Sequence, residues 1–337
     1  MRAFIIGGTG LVGRAAARRL LAQDWQVELV GRDQANVPAD LIADGAIFHQ
    51  LDRDDFVDLS EAFDTGADLL LDTVCFTGRQ AEHLVPLARD ATSTVLISSK
   101  AVYVDAAGRH SNSPEPADFG GPITEDQPTL PPGDLDYRSR AGYGPNKVAA
   151  ELALLDSGVP VTVLRPSKIH GEGARPPREW IFVRRVLDRR PVVLFNHGGR
   201  GGDHPSSSAN LAALIEHAAH HPGQRILNAA DPDAPSAPEI AALVARHFGH
   251  HWQPVLLPDD APPELGWHPW NRRPAVVLDV SAAGRLGYQP VGDYASTVAP
   301  MLDWLASNGP ALPAGFDDGY FDGRFDYAAE DAYLTGR

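Results

Sequence analysis

Residues 2–13 read Arg-Ala-Phe-Ile-Ile-Gly-Gly-Thr-Gly-Leu-Val-Gly, an apolar run that breaks into glycines before apolar residues resume at helical spacing. Arg2–Ile6 reads as a short buried strand and Leu11–Ala22 as an amphipathic helix. Between them Gly7, Gly10 and Gly13 form a G-x-x-G-x-x-G loop. Such a loop lets the backbone turn tightly and approach a ligand closely. The helix N-terminus then offers free N–H groups and a positive dipole to phosphate. In this strand–loop–helix setting the loop points to dinucleotide binding.

The next strand, Gln26–Val30, runs into Gly31-Arg32-Asp33. An NAD site usually places a carboxylate here to accept from the ribose hydroxyl. Gly31 holds that position, and the guanidinium of Arg32 suits a 2′-phosphate as a bidentate partner. NADP(H) is therefore the expected cofactor, with NAD(H) the alternative through Asp33. Ala46–Gln50 leads to Asp52, placed to touch the adenine amine. Asp68–Thr73, Ser93–Ser98 and Val159–Leu164 are further strand-like runs with helical segments between them. That alternation predicts an α/β fold, a parallel sheet with helices on both faces.

A second motif, Tyr143-Gly-Pro-Asn-Lys147, opens an alanine-rich segment. A carbonyl that accepts hydride gathers negative charge on oxygen and must gain a proton. A phenol ordinarily titrates near ~10, so it needs a cation beside it to exchange a proton near neutrality. Lys147, four residues on, shares the helix face of Tyr143. Lys100, Lys147 and Lys168 are the only lysines in the chain, which makes a lysine in register with the tyrosine notable. Ser99 ends the Ser93–Ser98 run, and open α/β sheets bind ligands at the carboxyl ends of their strands.

Four motifs in order, the glycine loop, Ser98-Ser-Lys-Ala-Val-Tyr103, Tyr143-x-x-x-Lys147 and Arg165-Pro-Ser-Lys-Ile-His-Gly171, carry a resemblance. The chain resembles extended short-chain dehydrogenase/reductases of the NAD-dependent epimerase/dehydratase family. The resemblance runs from residue 1 to about Tyr288, where Leu286-Gly-Tyr-Gln-Pro290 is similar to the family's closing motif. It implies a Rossmann-type doubly wound parallel sheet with a smaller C-terminal α+β substrate lobe. It assigns catalysis to Ser99, Tyr143 and Lys147. Cofactor contacts would come from Gly7, Thr9, Gly10, Leu11, Val12, Gly13, Arg32, Asp52, Val74, Lys147, Pro166 and Ser167. Substrate contacts would come from Lys100, His170 and Arg178. Relatives often form a homodimer through the helix carrying the tyrosine and lysine, and Val148–Leu155 is apolar enough to allow it.

Two departures narrow the chemistry. Dehydratases of the family carry an Asp-Glu pair just after the catalytic hydroxyl, where this chain has Lys100 and Ala101; dehydration is not expected. Sugar-nucleotide epimerases clamp the substrate diphosphate with an arginine, and Asp203 aligns with it here, with Arg200 and Arg178 nearby as substitutes. The leading expectation is therefore an NADP(H)-dependent carbonyl reductase or alcohol dehydrogenase acting on a small metabolite. The alternative is a nucleotide-sugar epimerase or 4-ketoreductase with retained NAD. A non-catalytic member that senses cofactor or binds a macromolecule is the third reading.

The chain has 337 residues and a formal charge of −15, which disfavours nucleic acid or anionic membrane as partners. No run approaches the ~20 apolar residues of a membrane span. Cys75 is the only cysteine, which suits a reducing cytoplasm and reads as a buried, inert thiol. Thirteen histidines include no H-E-x-x-H pattern, and no metal is expected. The dinucleotide domain is expected over 1–167 with 206–228 returning to it. The substrate lobe would comprise 168–205 and 229–312, followed by an acidic aromatic tail over 313–337. Ser236–Phe248 reads as a helix capped by Ser236. The Pro- and Gly-rich stretch 105–141 is expected to be a lid, a substrate-contacting segment or disordered. Trp267-His-Pro-Trp270 with Arg272-Arg273 reads as a substrate wall or as packing.

Overall fold

The computed structural model describes residues 1–316 and 318–336. Its strands are β1 (Arg2–Ile6), β2 (Gln26–Gly31), β3 (Ile47–Gln50), β4 (Ala67–Asp72), β5 (Ala91–Ile97), β6 (Val161–Pro166), β7 (Lys168–His170), β8 (Val192–Phe195), β9 (Pro205–Ser207), β10 (Arg225–Ala229) and β11 (Gln253–Leu256). Its helices are α1 (Leu11–Leu21), α2 (Ala39–Ala43), α3 (Phe56–Phe63), α4 (Gly78–Arg89), α5 (Arg140–Leu155), α6 (Trp180–Leu187), α7 (Ser208–His220), α8 (Ala237–His247), α9 (Ser281–Arg285), α10 (Tyr294–Ser307) and α11 (Tyr327–Thr335). They divide into two units.

The first unit takes Met1–Ser167, Ser208–Ala230 and Leu278–Val291. Seven parallel strands form one sheet in the order β10-β6-β5-β4-β1-β2-β3. Phe4, Ile6, Leu70, Leu96, Val161 and Val163 form a core with Leu59 and Phe63 of α3, Leu84 and Leu87 of α4, and Ala150 and Leu154 of α5. The intervening residues Ala3, Ile5, Leu69, Leu71 and Val95 are also fully buried, and α1 and α7 pack together. Burial of successive strand residues is what makes these segments continuous apolar runs. The strand order reverses between β1 and β4. Outside their carboxyl ends lies the crevice where open sheets of this kind bind ligands.

Strands β1–β6 fall within two residues of the expected runs, and the expected helix at 236–248 is α8; β7, β8, β9 and β11 were not expected. Its N-cap Ser236 and Glu239 form a complete capping box. Leu278–Val291 differs from expectation: it belongs to the first unit rather than the substrate lobe. Asp279 donates its N–H to the Ile123 carbonyl and Tyr288 its hydroxyl to the Asn210 carbonyl, 2.8 Å in each case.

The stretch 105–139 is held in place by the Asp105 carboxylate. It accepts from the N–H groups of Ala107, Arg109 and Asp118 and from Arg109 Nε, at 2.7–2.9 Å. Burial alone would raise the Asp105 carboxyl, but these donors hold it down at about 2.

The second unit takes Lys168–Ser207, Asp231–Val277 and Gly292–Arg337. Strand β7 pairs with β9 and β8 with β11, and α6, α8 and α10 pack on one another. Trp270 is 1% exposed and stacks on Phe182, and Trp267 meets Tyr320 edge-on; these aromatics pack within the unit. The tail folds back over its own unit, with Asp317 and Arg337 outside the described residues. Glu330 makes a buried ion pair with Arg185 at 2.6 Å, and Ala329, Tyr333 and Leu334 pack against Leu194, Leu257 and Leu265. Among the described residues no helix is long and apolar enough to cross a membrane.

Candidate active site

The glycine loop leaves β1 through Gly7, whose φ of +79° is a left-handed conformation. A Cβ there would stand 2.3 Å from Thr73 Oγ1, and one at Gly13 would stand 2.4 Å from the Gly7 carbonyl oxygen. Both positions require glycine, on steric grounds alone. Gly10 caps α1 without a side-chain bond, so the first amides of the helix, from Leu11, Val12 and Gly13, have no intrahelical acceptor. Gly7, Thr9, Gly10, Arg32, Asp52 and Val74 all line one cavity of about 470 Å³. Helix amides and cations around a dinucleotide-sized cavity are the donor set that the phosphates of NAD(P) require. The residues present fit the cofactor.

Arg32 is exposed at the cavity wall. Asp33 is occupied elsewhere: its two oxygens accept from Ala35 N at 2.9 Å and Asn36 Nδ2 at 3.0 Å. Pro166 lies buried at the end of β6, and Ser167 follows it, partly exposed.

Part of the cavity wall was not anticipated. Arg53 lines it and donates to Asp72 Oδ2 at 2.6 Å, both side chains being buried. Asp72 also accepts from Val74 N at 2.8 Å, which fixes the turn after β4. Burial works against the Arg53 charge, but its neighbours, Asp72 foremost and Asp54 with it, leave the guanidinium above its ordinary value. Phe76, Gln80, Tyr137 and Arg138 complete that side. Their only sequence signal was proximity to motifs, for Phe76 to Cys75 and for Tyr137 to Tyr143. Cys75 itself is fully buried, and burial pushes its thiol up to about 12.

Helix α5 carries Tyr143 and Lys147. Ser139 caps it by accepting from Gly142 N at 2.9 Å. A Cβ at Gly144 would approach the Ala101 carbonyl to 3.0 Å, so the first turns of α5 lie directly against the segment that follows Ser99. Lys147 is 2% exposed and donates to the carbonyls of Cys75 at 2.8 Å and Ile97 at 2.9 Å. Its ammonium is thus fixed at the carboxyl ends of β4 and β5, with one donor left over. The Ser99 hydroxyl accepts from Ala101 N at 3.1 Å, which leaves its proton free to be donated. Tyr143 is half-buried. Below them Ser98 donates to Glu151, and Glu151 takes Arg165 through two bonds at 3.0 and 2.5 Å. Lys100, expected to touch substrate, is buried beside Ser99.

The other expected substrate residues lie in the second unit. His170 is 2% exposed and bonds Asp231 Oδ2 through Nε2 at 2.7 Å. Arg178 donates to the Ile169 carbonyl at 3.1 Å, and its charge offsets part of the rise that burial imposes on the Tyr320 hydroxyl of the tail. Arg200 turns outward to Asp259 at 2.6 Å. Asp203 is buried with Lys168 Nζ 3.2 Å away. Burial and the guanidinium charges of Arg178 and Arg272 push Lys168 down to about 7.

A model of the family described as "NAD dependent epimerase/dehydratase family" matches residues 3–203. The chain belongs to this family. It is 26% identical over 323 residues to a Streptomyces antibioticus protein named "Probable dTDP-4,6-dihydroxy-2-methyloxan-3-one 4-ketoreductase", covering 93% of this chain and 95% of that protein. Among solved structures, Pal from Bacillus thuringiensis superposes with a TM-score of 0.65 at 20% identity, covering 91% of this chain and all of that one. The UDP-glucose 4-epimerase of Thermus thermophilus, solved with NAD, gives 0.65 at 17% identity, covering 90% and 98%. At these identities the structures share the fold.

Proposed function

We propose that the chain is an NADP(H)-dependent ketoreductase that reduces the 4-keto group of a nucleotide-linked sugar and exchanges its cofactor at each turnover. The observation that carries the chemistry is the arrangement of Lys147, fixed by two strand-end carbonyls on the helix of Tyr143, with Ser99 at the adjoining strand end. The bound nicotinamide supplies the hydride. Ser99 donates its hydroxyl proton as a hydrogen bond to the substrate carbonyl and orients it, a preorganised dipole that acts strongly in a dry site. Tyr143 delivers the proton that the new alkoxide takes up, and the Lys147 charge stabilises the phenolate left behind. Lys100 and Ala101 offer no carboxylate for eliminating water, which favours simple reduction over dehydration.

This reading departs from the small-metabolite expectation on two grounds. Asp203 alone would repel a diphosphate, but its carboxylate stands beside Lys168. Lys168, Arg178 and Arg272 lie close enough to act on one another and form a local basic cluster, with Glu179 beside it, that would suit an anionic handle. The relative that matches along nearly the whole chain is named for a dTDP-sugar ketoreductase. The exposed Arg32 and the occupied Asp33 favour NADP(H) over NAD(H).

The test is to follow NADPH and NADH absorbance with a dTDP-linked 4-keto-6-deoxyhexose and, in parallel, with simple ketones. Oxidation of NADPH with the nucleotide sugar alone is expected. Turnover of the ketones without the nucleotide sugar would return the function to a small-metabolite reductase.

A further inference from the structure

Gly133-Asp-Leu-Asp-Tyr-Arg-Ser139 closes the stretch 105–139, just ahead of the Tyr143 motif. Asp134, Leu135, Asp136 and Arg138 are exposed, while Tyr137 is half-buried. The segment is pinned to the start of α5. Gly133 N donates to the Pro145 carbonyl at 3.1 Å, Ser139 Oγ to the Asp136 carbonyl at 2.7 Å, and Asn146 to the Leu135 carbonyl. Gly142 permits this approach, since a Cβ there would collide with the Asp136 carbonyl oxygen at 2.2 Å.

From that base Tyr137 reaches into the wall of the dinucleotide cavity and stacks on Phe76, centroids 5.1 Å apart and planes 11° apart. Lys147 Nζ lies 4.5 Å from the Phe76 centroid, and the Arg138 guanidinium lies 4.8 Å from that of Tyr137. Lys147, Phe76, Tyr137 and Arg138 thus form a chain of contacts, each group against the next. Rings and guanidinium groups are the partners an anionic, aromatic ligand uses, and both Tyr137 and Arg138 line the same cavity as Gly7, Thr9 and Arg32.

We infer that Asp136–Ser139 is a strap on the cofactor site. The Tyr137 ring closes over the bound dinucleotide, and Arg138 binds one of its phosphates. Beyond the bonds at its base, the stack of Tyr137 on Phe76 holds the strap against the cavity. Such a contact is weak enough to open for exchange, as a reductase requires at every turnover. Because Ser139 also caps α5, the strap and the Tyr143 helix are one continuous piece of chain. The inference rests on the dinucleotide-binding part of the proposed function, not on the sugar substrate.

The test is direct binding with the full-length protein. Kd and dissociation rate of NADPH and NADH are measured by nicotinamide fluorescence for wild type, Tyr137→Ala, Tyr137→Phe and Arg138→Ala. Tyr137→Ala is expected to raise both quantities about tenfold and Tyr137→Phe to keep them within twofold of wild type. Arg138→Ala is expected to weaken both dinucleotides and to reduce the salt dependence of binding. Values within twofold of wild type for Tyr137→Ala and Arg138→Ala would overturn the strap. Arg138 is exposed, so its variant keeps the test decisive if Tyr137→Ala fails to fold. A wild type that prefers NADH would fail the NADP(H) reading alone; the same changes are then expected with NADH.

Discussion

Lys147 is held by two carbonyls that come from positions 72 and 50 residues away, one turn along α5 from Tyr143, the residue it is proposed to serve. General acid–base groups contribute about 10²–10⁴-fold. Tyr143→Phe should therefore lower kcat by that range while the Kd for cofactor, read by fluorescence, changes little. A variant with near-normal kcat would remove Tyr143 from the chemistry. Arg32 makes a separable contribution. Hydrogen bonds to a charged group are worth about 1.5–3 kcal/mol, so Arg32→Ala should weaken NADPH by about 10- to 150-fold and NADH far less; equal losses would end its role as a phosphate partner. The proposed roles of Tyr143 and Lys147 were suggested by their i, i+4 spacing and that of Ser99 by its place at a strand end. The partners that fix Lys147, the pairing of Asp203 with Lys168, and the reach of Tyr137 were not, because each depends on chain separation closed only by the fold.

Helix α5 is the element on which the site depends, and it is clamped from below. Ser98 at the end of β5 and Arg165 at the end of β6 meet on Glu151 of the helix, and Arg165 also lies 4.8 Å over the Tyr103 ring. Breaking a buried ion pair from one side costs about 3–5 kcal/mol because the other charge is left alone. Arg165→Met should lose that much stability in urea unfolding, and the double variant Glu151→Met/Arg165→Met should recover most of it. Full stability in the single variant would contradict the clamp. The strands were readable because β1, β4, β5 and β6 are apolar and buried along their length. The stretch 105–139 was not, since its order rests on one carboxylate gathering donors from 107, 109 and 118. No local pattern marks such a knot.

At the scale of the molecule each unit has its own electrostatic task. The first lines its cavity with the loop before α1 and with Arg32, the groups proposed to receive a dinucleotide. The second concentrates Lys168, Arg178 and Arg272. Lys168 titrates about 7 instead of 10.5, so its positive charge is complete only below neutrality. The KM for an anionic substrate should rise as pH climbs through about 7, and Lys168→Met should flatten that rise; a wild-type KM constant from pH 6 to 8.5 would remove Lys168 from substrate binding. For stability the sign is opposite. The unfolded chain binds this proton between about 7 and 10.5 and the folded chain does not, so the group costs stability below 7 and the cost fades as pH rises toward 10.5. The tail's docking through Glu330 and Arg185 was open in the sequence, where an acidic aromatic segment fits its own domain or a partner equally well.

Whether the cofactor is exchanged or retained separates a reductase from an epimerase. The measurement is the nucleotide released when freshly purified protein is denatured, identified by mass and absorbance, followed by titration of the protein with NADPH and NADH. The account predicts less than stoichiometric release and tighter uptake of NADPH than of NADH. Stoichiometric NAD⁺ that withstands purification would contradict it.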